Sequence, residues 1–480
     1  MRGPGSFPGP RSIRNGNALR LLTEHNFGPD DRVRRWGDNM RKHRRRGLRA
    51  VAIVAAVGIA SVGVMTTGAI AQSSDSTGVT AKDVTLGYIS SQTGVAAATH
   101  KNAHKSCQAR VDAENAKGGV NGRKINLEII DDKSGAGNLT GAKDLVENRN
   151  VFAVIDNSAF AFLSWRYLKD AGVPMIGGGF DGSYYYNQGN ENIISGLGNG
   201  TPVPGLTYDT TTKVMKQMGA TKVAAVGYGV SPSSSESAKA TETFGAEAQG
   251  LEGVYLNTAL EFGGTDVGPV VLGIKNSGAD GLYLPLDSDT NFAIVQGLQQ
   301  NGVKMKSNVL ATGYSQDLLD QPIAKTITPN DIMFSAYRPV ELGGKAVKTF
   351  RSNLKKYAGI TGVPDYGTYT GYIVCDMAIL GLKNAGKNPT RQGFVDGIRK
   401  TNGGQYDGAG LLCKPIDLSY ENFGTIASDS CTWFVGVENG KFKVLNKGKT
   451  VSGKLVGDPD LIEQYESNAG TGVTTTVPAS

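Results

Sequence analysis

Residues 84–132 read VTLGYISSQTGVAAATHKNAHKSCQARVDAENAKGGVNGRKINLEIIDD. An apolar run from Val84 to Ile89 leads into a small-residue loop, Ser90 to Thr99, and then into a helical pattern closed by Lys117-Gly118-Gly119. A second apolar run, Ile125 to Ile130, ends in Asp131-Asp132. Run, loop, helix and run predict a βαβ unit: two parallel strands, with the loop at the carboxyl end of the first. Ligands of open α/β sheets sit at that end, so the stretch predicts a fold class and also the edge of the sheet where a site would form.

The pattern repeats downstream. Leu139, Ala142, Leu145 and Val146 make a helical stripe, Val151 to Ile155 a buried strand, Ala159 to Ala171 a helix, and Val173 to Ile176 a fourth strand running into Gly177-Gly178-Gly179. This is one Rossmann-like half. The alternation breaks between Ile193 and Pro204, then restarts with strands predicted at Lys222 to Val226, Val254 to Asn257, Gly281 to Leu284, Asn308 to Ala311 and Ile332 to Tyr337. Helices are predicted over 343–357, 369–385 and 390–400, followed by a β-rich stretch from Cys413 to Val444. Two windings with a break between them imply an α/β protein of two Rossmann-like lobes and a cleft. A chain of 480 residues, 39% hydrophobic and 19% charged, has material for both.

The net charge of +7 would suggest a nucleic-acid partner if the folded part carried it. Residues 1–71 hold 13 Lys+Arg and 4 Asp+Glu, leaving 37 against 39 in the remainder, so no nucleic-acid partner is expected. The leader reads as an export signal: Arg41-Lys42-His43-Arg44-Arg45-Arg46 precedes an uncharged run, Ala50 to Ala71, ending in Ala69-Ile70-Ala71, the A-x-A form of a cleavage site. The alternative is an uncleaved anchor, because 22 uncharged residues can span a bilayer. Either way the folded part is exported, to the cell envelope or beyond.

All four cysteines, Cys107, Cys375, Cys413 and Cys431, lie in that exported part, where disulfides form. Cys413 and Cys431 bracket an 18-residue step in a hairpin-like region and are paired on that ground, leaving Cys107 with Cys375. Three connectivities exist in principle, and a buried free thiol is the alternative for Cys375, which shares a helical face with Ile379 and Leu382.

Ala113 to Ser134, AENAKGGVNGRKINLEIIDDKS, resembles the opening signature of type I periplasmic binding proteins, particularly the branched-chain amino-acid-binding family that feeds ABC transporters. VFAVIDNSAF followed by AGVPMIGGG continues the resemblance, which covers about residues 83–445. It implies two α/β lobes joined by three crossovers, with the ligand enclosed at a hinge cleft. The divisions it suggests are a leader and signal peptide at 1–71, first-lobe segments at 83–197 and mainly 308–400, second-lobe segments at 198–307 and 401–454, and a flexible tail at 455–480. The partners implied are a small-molecule solute and an ABC transporter permease, with the protein a monomer.

The resemblance also implies site positions. Family members hold an amino-acid head with a serine after the third strand and a small-residue loop after the fourth, which here are Asn157-Ser158 and Gly179 to Asp181. In the second lobe this chain departs from the pattern: Asp287 stands where an aromatic is typical, and Thr312 where a glutamate pairs with the ligand ammonium. Asp181 or Asp287 could supply the missing charge. Thr99 at the helix entrance, with Tyr314 and Tyr366, completes the candidate ligand-binding set, although ordinary packing would account for each aromatic equally well.

Other chemistry finds less support. His100, His104 and Cys107 share one helical face at metal-ligand spacing, but no fourth ligand is near and a solvated face with a structural cysteine explains them. There is no G-x-S-x-G elbow, H-E-x-x-H motif or phosphate-binding loop, so no cofactor, metal or catalytic residue is assigned and the chain is not read as an enzyme. The expected function is solute capture by lobe closure, the solute being an amino acid, amide or related small polar molecule. The alternatives are an extracellular hydrolase using Asp181 and Asp287 as a carboxylate pair, or a membrane-anchored ligand-sensing domain.

Overall fold

The opening unit folds as its pattern predicts. Strands β1 (Asp83–Ser90) and β2 (Lys124–Asp131) pair in parallel from Asp83↔Lys124 to Ser90↔Asp131, joined by the helix Ala103–Asn115. Gly119, at φ +75°, makes the turn into β2; a Cβ there would lie 1.9 Å from the Arg123 carbonyl oxygen, so no other residue fits. These elements belong to a computed structural model that describes residues 74–178, 189–196, 204–264, 266–421 and 431–468. The leader, and with it the export reading, lies outside the described residues.

The first sheet is completed by β3 (Ala153–Asp156), β4 (Met175–Gly177) and β5 (Ile193–Ser195), in the order β2-β1-β3-β4-β5 and parallel throughout. After β6 (Leu206–Tyr208) comes a second sheet built from β7 (Lys222–Tyr228), β8 (Glu252–Leu260), β9 (Gly281–Leu284), β10 (Ser307–Leu310) and β11 (Asp331–Ser335). These five lie in the order β8-β7-β9-β10-β11, the same winding as the first sheet. Each sheet therefore reverses its strand order once, between β1 and β3 in the first lobe and between β7 and β9 in the second. At such a switch point neighbouring loops diverge to opposite faces and leave a crevice.

Of the 308–400 segment expected mainly in the first lobe, residues 308–335 belong to the second, where β10 and β11 extend the sheet by pairing with β9. One segment assignment is corrected. Residues 401–421, expected in the second lobe, lie on the first. The short hairpin β12 (Gln405–Tyr406) with β13 (Ile416–Asp417) is tied there by the Tyr406 hydroxyl donating to the Ile373 carbonyl at 2.8 Å. Arg399, buried beside it, donates to the carbonyls of Glu191, Ile193 and Leu418 at 2.8, 3.2 and 3.0 Å. Only β14 (Cys431–Glu438), β15 (Lys441–Val444) and β16 (Val451–Ser452) return to the second sheet, as antiparallel additions at its β11 edge.

The expected tail is partly structured. Strand β17 (Leu455–Gly457) pairs with β6, and the helix Pro459–Asn468 sets Leu461, Ile462 and Tyr465 against a first-lobe cluster that includes Leu168, Ile193 and Leu206. The three expected crossovers are thus joined by a fourth pass of the chain, back to the lobe where the fold began.

Within the first lobe the long helix Tyr366–Asn384 packs on Ala103–Asn115. Their approach is close because Gly367 and Gly371 face Thr99 and Ala103: a Cβ on either glycine would come within 2.5 Å and 2.2 Å of the facing carbonyl oxygens. The Cys107–Cys375 disulfide joins the same two helices with 5.3 Å between Cα atoms, and Cys413–Cys431 forms the second bridge. Beyond the first disulfide, Arg110 donates to Asp376 at 2.7 Å and Glu114 at 3.0 Å, anchoring the pair with charges that are themselves paired.

Candidate functional site

At the first lobe's switch point the loops after β1 and β3 meet over a buried polar network. Asp132 accepts a hydrogen bond from the Ser91 hydroxyl at 2.7 Å and another from the Ser158 hydroxyl. The Asn138 amide nitrogen donates to Asp132 at 3.3 Å and to both oxygens of Asp156, at 3.3 and 3.1 Å. Ser164 donates to Asp156 at 2.7 Å. Asp132, Asn138, Asp156 and Ser158 are all fully buried. Burial, with the nearby Asp132 charge adding to it, pushes the Asp156 carboxyl up to about 7. The network fixes the Asn157–Phe160 loop: the Phe160 N–H donates to Ser158 Oγ at 3.0 Å, and the Asn157 amide donates to Tyr88 at 3.1 Å and Thr370 at 3.0 Å.

The Thr99 hydroxyl pairs with His100 Nδ1 at 2.8 Å. Burial pushes His100 down to about 4, so its ring is neutral at physiological pH. Tyr366 opens the long helix, capped by Asp365, and its ring meets His100 at 5.9 Å and Tyr337 at 5.7 Å between centroids. The fold therefore gathers Thr99, Asn157, Ser158 and Tyr366 into the first lobe around the amino end of that helix. The Ser158 hydroxyl is turned inward, onto Asp132, and the Asn157 amide holds the helix through Thr370.

In the second lobe Asp287 sits at the switch point between β7 and β9. It caps the helix Ser288–Gln300, accepting from the N–H groups of Asp289 and Thr290 at 3.0 and 3.1 Å, from the Thr290 hydroxyl at 2.9 Å, and from the Tyr228 hydroxyl. Burial, followed by the Asp287 charge, raises the Tyr228 phenol well above its ordinary value. Thr312 donates to the Leu286 carbonyl at 2.8 Å and accepts from the Asn291 amide at 3.0 Å, so it buttresses the same turn. Tyr314 is buried against Phe442, its ring centroid 4.9 Å away, and its hydroxyl donates to Glu341 while accepting from the Val340 N–H at 3.0 Å. Tyr314 therefore braces the loop after β10 against Val340 and Glu341, beyond β11. Gly179 and Asp181 lie outside the described residues.

Cys107, the third member of the His100–His104–Cys107 face, is committed to a disulfide, which leaves no thiolate for a metal. Among the described residues no group of three His, Cys, Asp or Glu side chains could hold a metal ion.

The strand-end loops of the two lobes touch. Phe160 of the first lobe meets Phe262 of the second edge-to-face at 5.4 Å, and Phe262 in turn packs on Tyr228 at 4.7 Å. Lys101 pairs with Asp317 across the lobes at 2.6 Å. Phe160, Phe262, Lys101 and Asp317 were not singled out by sequence reasoning, since neither the spacing nor the composition around them marks a contact between distant segments. The Asp131-Asp132 pair was visible as a strand end, but not as the anchor for Ser91 and Ser158.

Two sheets of identical winding, with their switch points meeting across a cleft, match a known pattern. A periplasmic binding protein family profile matches residues 83–441. The chain belongs to that family, in its branched-chain amino-acid-binding-like, type I form. Members are transport substrate-binding proteins, and the family is an exported one. Among solved structures, the binding protein is similar to a fatty acid ABC transporter substrate-binding protein from Thermomonospora curvata, with a TM-score of 0.65 and 19% identity, over 83% of this chain and 97% of that one. It is similar to a branched-chain amino acid transporter substrate-binding protein from Streptococcus pneumoniae in complex with isoleucine, with a TM-score of 0.60 and 20% identity, over 76% and 99% of the two chains. An R. palustris ABC transporter solute-binding protein in complex with 4-hydroxybenzoate gives a TM-score of 0.60 and 20% identity, over 80% and 100%. No curated protein matches the binding protein by sequence. At these identities the likeness to solved structures establishes the fold. No helix among the described residues is long and apolar enough to cross a membrane.

Proposed function

We propose that the protein is an exported receptor that captures a small solute between its lobes and delivers it to an ABC transporter permease, without chemical turnover. The observation that carries this reading is the meeting of the two switch-point loop sets, Ser90–Thr99 with Asn157–Phe160 from one lobe and Tyr228 with Asp287 from the other. Such a cleft encloses a ligand by closing on it, and the ligand favours the closed form through contacts made only there.

The solute is a small polar molecule: an amino acid, an amide or a related compound. Isoleucine and 4-hydroxybenzoate, held by the similar structures, both carry a carboxylate on an apolar body, and so does a fatty acid. Thr312, in place of an acidic residue, gives no counter-charge to an α-ammonium and engages its own turn instead. Asp287 is occupied by four donors, which argues against its serving as half of a hydrolytic carboxylate pair. The test is a thermal-shift screen of the purified protein against amino acids, amides, polyols and small carboxylates, followed by calorimetry and product analysis. Saturable binding with the compound recovered unchanged is expected. Turnover of any bound compound, or no shift across the whole panel, would overturn the reading.

A further inference from the structure

Phe160 is held in place by its own lobe. Its ring lies over Gly135, where a Cβ would come within 2.7 Å of the ring, and its N–H is fixed by Ser158. Phe262 is likewise braced by Tyr228, whose hydroxyl is bonded to Asp287. The two rings that meet across the lobes are therefore pre-positioned, each by the loops of its own switch point. Beside them, Val95 of the first lobe rests on the bare Cα of Gly263: a Cβ there would lie 2.6 Å from Val95 Cγ1, and φ at Gly263 is +77°. A second contact joins Lys101 to Asp317, both side chains 47% exposed, and next to it the Gln316 N–H donates to the Val363 carbonyl at 2.8 Å. The helices Ala97–His100 and Ser288–Gln300, from opposite lobes, also touch.

We propose that the Phe160–Phe262 pair and the Lys101–Asp317 pair form a latch between the lobes, made wholly of protein groups, that populates the closed arrangement before any solute arrives. Solute binding then draws on a form already present, and apparent affinity scales with the fraction of molecules that are latched. An edge-to-face aromatic pair shifts such an equilibrium by about 2- to 12-fold. An exposed ion pair shifts it by about 1.4- to 5-fold, and less at high salt. This inference goes beyond solute capture, and its test needs no solute, so its failure would leave the receptor reading standing.

The experiment uses full-length protein freed of small molecules by unfolding in guanidinium and refolding, with spin labels on exposed positions of the two lobes, Ala136→Cys and Asn276→Cys. Distances are read by pulsed electron paramagnetic resonance. The unliganded wild type is expected to show a short-distance population. Phe262→Ala should lower the ratio of short to long distances by about 2- to 12-fold. Lys101→Asp should lower it as well, and adding Asp317→Lys to that variant should restore it. The charge exchange lies at exposed positions and leaves the core untouched, so it stays informative even if Phe262→Ala destabilises the fold. Only long distances in the wild type, an unchanged ratio in a folded Phe262→Ala, or failure of the exchanged pair to restore the ratio would overturn the latch.

Discussion

Asp156 shows how one buried side chain can tie the site to pH. It forms no ion pair among the described residues and lives on hydrogen bonds from Ser164, Asn138 and the Ser158 N–H. Its carboxyl is raised to about 7 in the fold, against about 3.9 in an unfolded chain. Between those values the folded protein keeps a proton that the unfolded chain has lost, so stability is highest at the acid end of the window and falls as pH rises through it. Asp156→Asn should flatten that decline, removing about 3 kcal/mol of the difference between pH 5 and pH 8. Urea unfolding at both pH values measures it; parallel profiles for the variant and wild type would show that Asp156 does not carry the effect. Sequence reasoning singled out Asn157 and Ser158 as candidates because they follow a strand in a familiar pattern. It could not find Asp156 or Asp132 as their anchors, because a carboxylate at a strand end looks the same whether it faces water or a buried serine.

Among elements, the helix pair Ala103–Asn115 and Tyr366–Asn384 governs how the first-lobe site is built. Glycines at 367 and 371 let the backbones approach, and Cys107–Cys375 locks the register that brings Tyr366 to His100. Four cysteines in a chain read as exported made this bridge readable as one of a few pairings, and the helices themselves were readable from their periodicity. Their contact was not, since 268 residues separate the two cysteines. Replacing both, Cys107→Ser with Cys375→Ser, should cost about 5 to 6 kcal/mol of stability. The 18-residue loop of Cys413–Cys431 constrains the unfolded chain less, and its loss should cost about 3 kcal/mol. Guanidinium midpoints of the two double variants give the comparison, and a larger loss from the second pair would contradict the loop-size argument.

At the level of the whole molecule, the parallel sheets and the two windings were readable because each strand is a short apolar run bounded by turn residues. The lobe boundary placed at 308 was not, because a strand such as Ser307–Leu310 has no sequence mark saying which sheet it joins; that is decided by pairing with Gly281–Leu284. The Gly- and Thr-rich composition beyond 455 likewise hid a strand and a helix, which gain their order from Leu206, Leu168 and Ile193 on the first lobe. Truncation after Ser452 should expose that surface and lower stability by about 3 kcal/mol, estimated from the apolar area of Leu461, Ile462 and Tyr465. Thermal melting with limited proteolysis near residue 206 is the check, and an unchanged melt would return the segment to the status of a tail.

The returning segment also has a mechanical meaning. Both ends of the described fold, the strand beginning at Asp83 and the helix ending at Asn468, belong to the first lobe, and the second-lobe segments run between them. A tether or fluorophore attached at either end of the described fold would hold the same lobe. Under the proposed capture by lobe closure, a reporter placed on the other lobe would register each capture as displacement against a fixed frame.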